Sequence, residues 1–106
     1  MNTLVIHNLE IDLLIDLLSN RCADILSKVW RGDDLVSGVF ILEDAESREL
    51  GVSITTILEH KSKENSCTVV FHAARVCDEN ATALAAEAQL RNTLVEFAEE
   101  NDWRWE

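Results

Sequence analysis

A chain of 106 residues with no proline and only three glycines has few places where it can turn sharply. Those two residue types interrupt helices and strands or supply the backbone angles of tight turns. Long regular elements joined by short polar loops are therefore expected, and hydrophobic spacing should tell what each element is. Over residues 8–31, Ile11, Ile15, Leu18, Cys22, Ile25 and Val29 recur at steps of three and four, the helical period. Asn8 is placed to cap the start, Lys28 and Arg31 suit the negative end of the dipole, and Gly32 supplies a stop. Leu13, Leu14 and Leu17 widen the apolar stripe of this helix. Residues 3–7 are a β-prone run, either a first strand or the frayed start of that helix.

Three strand-like runs follow, over 36–43, 50–60 and 67–76, with polar turns at 44–48 and 61–66. Loops this short imply an antiparallel meander. Alternation puts Phe40 and Leu42 on one face of the first run, and Leu50, Val52, Ile54 and Leu58 on one face of the second. A second helix is expected from residue 78 or 80 to 101, with Ala83, Ala86, Leu90, Leu94 and Phe97 as a narrow face suited to a sheet. The order is (β)αβββα. The expected fold is α+β, in one domain of residues 1–106: a three-stranded antiparallel meander, with or without a short N-terminal strand, and both helices packed on one face.

Charge sets the class of partner. Twenty acids against nine bases leave a formal net charge of −11, while 47% apolar residues provide for a real core. Such a field repels nucleic acid and anionic membrane and attracts basic partners. Its other reading is simple solubility. The acidity is uneven: net −1 over residues 1–31, −4 over 32–77 and −6 over 78–106. Three cysteines (Cys22, Cys67, Cys77) show no framework spacing, and residues 1–6 lack a basic n-region and a cleavage site, so a reducing cytoplasm is the expected compartment.

No sequence motif announces catalysis. A Gly-rich phosphate loop, H-E-x-x-H, C-x-x-C and G-x-S-x-G are all missing. The nearest approach to a metal site is His60, Cys67, His72 and Cys77. In a regular strand, however, Cys67 and His72 differ by five residues and point to opposite faces, so four ligands would not converge on one tetrahedral ion. A Cys–His nucleophile pair would need an activated thiolate, and surrounding acids raise a thiol pKa. The expectation is no enzyme, no metal and no cofactor.

The candidate binding residues fall in two acidic groups and a tail. Asp33, Asp34, Glu43, Asp44, Glu46 and Glu49 occupy expected loops. Glu96, Glu99, Glu100 and Asp102 crowd the C-terminal turns of the second helix, where the dipole disfavours each acid by about 0.3–1 kcal/mol. Trp103 and Trp105 come straight after. They either fold back to complete the core or form an exposed hot-spot pair. The second face of the sheet would carry Val39, Ile41, Ile57 and Val70 or Phe71, too apolar for a fully solvated surface, so the Trp tail, a partner or a second subunit should cover it. A homodimer through this face, or through the broad stripe of the first helix, is expected as one option.

Helix, three-strand meander, helix, together with the acidity, resembles type III secretion chaperones in outline, though without the strands those carry after their second helix. That resemblance implies a dimeric adaptor holding a partner peptide through apolar surface. Small acidic immunity proteins that neutralise basic toxins, and phage inhibitors that mimic DNA charge, match the composition equally well. The first expectation is thus a stoichiometric inhibitor or immunity-type protein, occupying a cationic site on a nuclease, toxin or nucleic-acid-binding complex. The second is the dimeric chaperone or adaptor, and the third an enzyme using Cys67, Cys77, His60 or His72.

Overall fold

A computed structural model describes residues 2–21, 27–42, 52–75 and 80–106. Among them the elements run β1 (Asn2–His7), α1 (Ile11–Ser19), β2 (Ser27–Arg31), β3 (Leu35–Leu42), β4 (Val52–Lys61), β5 (Ser66–Arg75), α2 (Asn80–Glu100) and β6 (Arg104–Trp105). The strands form one six-stranded sheet in the order β2-β3-β4-β5-β1-β6. Every neighbouring pair is antiparallel.

The expected three-stranded meander is therefore corrected to six strands. β3, β4 and β5 are the three strands read from alternation. Ser27–Arg31, assigned to the first helix by its spacing, is instead strand β2, paired with β3 from Ser27↔Phe40 to Arg31↔Val36. Gly32 does not stop a helix there; its N–H donates to the Leu35 carbonyl at 2.8 Å and closes the β2–β3 hairpin around Asp33 and Asp34. Residues 27–31 satisfied the helical period only through Val29, while Val29 and Trp30 prefer strands and hairpin pairing satisfies their backbone. β1 is a full strand, and it lies inside the sheet between β5 and β6. The outline shared with secretion chaperones is lost with these changes.

One face of the sheet holds the core. Leu4 and Ile6 of β1, Val36, Phe40 and Leu42 of β3, Ile54 and Leu58 of β4, and Val69 and Phe71 of β5 are buried at alternate positions. Gly38 takes its place in this row because a Cβ there would stand 2.8 Å from the Phe40 ring. Both helices cover this face: α1 lies on β3, and α2 on β5, β4 and β1. α1 buries Leu14, Ile15 and Leu18, and α2 buries Ala83, Leu90, Leu94 and Ala98. Each fully buried leucine contributes about 1.5–3 kcal/mol, whereas the alanines allow α2 to approach the strands closely.

The end of α2 determines where the tail goes. Asp102 adopts φ 58°, the left-handed conformation that terminates helices. The Asp102 N–H donates to the Glu99 carbonyl at 3.2 Å and the Trp103 N–H to the Ala98 carbonyl at 2.8 Å, the two bonds of a Schellman motif. The hydrophobic contact that accompanies the motif is Trp103 on Phe97, edge to face with centroids 5.4 Å apart. The chain thereby reverses into β6, which pairs with β1 at Ile6↔Trp105 and His7↔Arg104. At the same end of the sheet Asn8, which follows His7 of β1, is also left-handed (φ 58°), so it turns β1 toward α1 and does not cap the helix; Glu10 holds the cap position without a side-chain bond.

Candidate partner-binding surfaces

The exposed acids gather on the helices and their flanks. Glu10, Asp12 and Asp16 are exposed on or beside α1, and Glu96, Glu99, Glu100 and Asp102 on or after α2. Glu96 lies three and four residues before Glu99 and Glu100, which places the three side by side on one helix face. The last turn of α2 contains no base. Like charges at this spacing, against the negative helix end, reduce stability. Arg91, the one base within α2, is directed elsewhere: its Nη1 donates to the Thr3 carbonyl at 3.1 Å.

Asp33 and Asp34 are exposed on the β2–β3 turn, where Asp34 stands 3.7 Å from the Lys63 ammonium. They share an end of the sheet with the close of β1, but β3, β4, β5 and β1 separate them from the α2 terminus. The two acidic groups are thus distinct surfaces. Glu43, Asp44, Glu46 and Glu49 lie outside the described residues.

The two tryptophans have different environments. Trp103 is buried at 7% exposure as the hydrophobic partner of the Schellman turn. Trp105 remains 38% exposed, and its Nε1 donates to Glu99 at 3.3 Å, beside the acidic helix face.

Among the described residues no helix lies over the second face of the sheet. Register places Val39, Ile57 and Val70 in one row across β3, β4 and β5, flanked by Ile41 and by Trp30 of β2. Phe71 points the other way and is fully buried. Trp30 is 52% and Ile57 49% exposed. Around this row lie Ser and Thr side chains (Thr3, Ser37, Thr55, Thr68) and a sparse, balanced set of charges. Among the described residues these charges are Lys28, Lys61 and Arg104 against Glu59 and Glu106, a net +1 from three bases and two acids.

The histidine and cysteine candidates do not meet. Cys67 and His60 face each other across β4 and β5 on the buried face, whereas exposed His72 points away from them, and Cys77 and Cys22 lie outside the described residues. Burial, with a smaller contribution from the Glu59 charge, pushes the Cys67 thiol up to about 12, so the sulfur keeps its proton at neutral pH. His60 Nε2 bonds Asn65 Oδ1 at 2.9 Å. Its Nδ1 and the Thr56 hydroxyl are buried with no hydrogen-bond partner among the described residues. No three His, Cys, Asp or Glu among the described residues are grouped so as to hold a metal ion.

One ionisable group escaped the sequence reading. Glu87 lies in the buried stripe of α2 at 2% exposure, where Asn2 Nδ2 donates to its Oε1 at 3.2 Å and His72 Nδ1 stands 3.9 Å from Oε2. Burial acts to raise its pKa, but the bonds from Asn2 and from the Ala73 backbone N–H outweigh it and hold the carboxyl below its ordinary value. The signal was present: Ala83, Glu87, Leu90 and Leu94 recur at four, three and four, so a glutamate occupies a core position of the helical period.

Compared with known proteins, the chain matches no protein family, no curated protein and no solved structure. Among the described residues no helix is long and apolar enough to cross a membrane.

Proposed function

We propose that this chain is a non-catalytic binding protein, a stoichiometric inhibitor or immunity-type protein that occupies a basic site on a nuclease, toxin or nucleic-acid-binding complex. The observation that carries the reading is the face formed by Glu96, Glu99 and Glu100. Three exposed carboxylates stand together at the helix end least favourable to them, with no base in the last turn. Folding stability does not account for that placement, whereas recognition of a cationic surface does. Trp105, half-exposed and bonded to Glu99, supplies apolar contact at the edge of the same surface. Long-range charge steers the encounter and the desolvated aromatic contact slows release.

Partner identification precedes the decisive measurement. The protein captured from source-cell extract at low salt and released at high salt is purified, and its affinity for this chain is titrated against ionic strength. The triple variant Glu96→Lys, Glu99→Lys, Glu100→Lys is expected to bind about 10–100-fold more weakly, from roughly 0.2–1 kcal/mol per exposed pair and the added repulsion. An affinity indifferent to both salt and the triple reversal would sink the electrostatic reading.

A further inference from the structure

We infer that the open face of the sheet is an interface with a second copy of this chain. The row Val39–Ile57–Val70, with Trp30 beside it, is a contiguous apolar strip on a face that neither described helix covers. An antiparallel sheet tolerates one wet face when that face is polar; side chains as large as a tryptophan and an isoleucine, each about half exposed, favour removal from water.

Charge selects the occupant. Two copies at net −11 repel each other through any acidic surface. The open face, at +1 among the described residues because Lys28, Lys61 and Arg104 offset Glu59 and Glu106, is the region where they can approach with the least net repulsion. A basic partner is drawn instead to the helix side, so the two surfaces do not compete. A two-fold contact needs a self-complementary patch, and an apolar row with a balanced rim meets that need.

The area is sufficient. Strands about 4.8 Å apart, advancing about 3.3 Å per residue, give the five longer strands a face on the order of 600 Å². Two such faces bury on the order of 1,200 Å², the lower end of the range for stable interfaces.

Sedimentation of the purified chain at micromolar to submillimolar concentration tests the inference. The expected mass is twice the 12.0 kDa of one chain. Ile57→Asp places an unpaired carboxylate in the interface, and because Ile57 is half exposed the monomer tolerates it. The variant is expected to keep the native circular dichroism spectrum while its dimer dissociates about 100-fold more readily or worse. The control Leu84→Asp, at a 60% exposed site on α2, is expected to leave the dimer intact. Added salt should preserve or strengthen the dimer by screening the repulsion between copies, the reverse of its effect on binding a basic partner, so each proposal can fail alone. A monomer throughout the concentration range, a dimer untouched by Ile57→Asp, or one broken equally by Leu84→Asp would overturn it.

Discussion

Within the core, Thr56 and Glu87 show opposite ways for a polar side chain to be buried. Thr56 is fully buried between Phe40 and Phe71 on the neighbouring strands, and its hydroxyl has no partner among the described residues. A desolvated, unpaired hydroxyl costs about 1–3 kcal/mol, so Thr56→Val should stabilise the fold by about 1–2 kcal/mol. Urea unfolding measures the difference, and a destabilised Val variant would mean that the hydroxyl is satisfied. Glu87 is stabilised as the anion. Its folded-state pKa is depressed, so its contribution is fully present above the unfolded value near 4.5 and is lost as pH falls through the folded value. Wild type should therefore lose more stability than Glu87→Gln between neutral and acid pH, and comparing the two cancels the general effect of neutralising other acids. Parallel stability curves would contradict this account.

Among the elements, the α2–β6 connection carries the clearest strain. A left-handed residue with a Cβ is costly, and an aspartate at a helix C-terminus adds an unfavourable charge. Asp102→Gly should therefore stabilise the protein by about 0.5–1 kcal/mol, and by more than Asp102→Ala, which removes the charge but keeps the Cβ, as thermal unfolding of the three forms would show. A Gly variant less stable than the Ala variant would mean that the Asp102 side chain has another role. Strands β3, β4 and β5 and helix α2 were legible because each is long enough for its own period to be unambiguous. β2 and β6 were not. Five residues from Ser27 to Arg31 fit a helical continuation as well as a strand, and two tryptophans at a chain end carry no period at all. Pairing with β3 and with β1 decided those segments, and pairing is a property of distant residues.

At the scale of the molecule, helices on one face of the sheet separate the surface into two chemistries. The helix side displays most of the described acids, and the open side displays an apolar row with nearly balanced charge. Salt acts on the two in opposite senses: it weakens attraction to a basic partner and relieves repulsion between copies. The candidate residues were legible as residue types, but their separation was not. Asp33 with Asp34, and Glu96 with Glu99 and Glu100, belong to different surfaces, and Trp103 is held in the core while Trp105 reaches the solvent.

Composition and spacing by themselves determined an acidic α+β chain, the buried side of its central strands and the apolar character of their other side, because each follows from charge counts or from periods of two and 3.6 residues. The tertiary structure alone decided that β1 enters the middle of the sheet, that β2 and β6 extend it, and that Glu87 is buried against Asn2 and Ala73. Those outcomes depend on which remote backbone groups pair and which side chains then lose their water, and no local pattern encodes either.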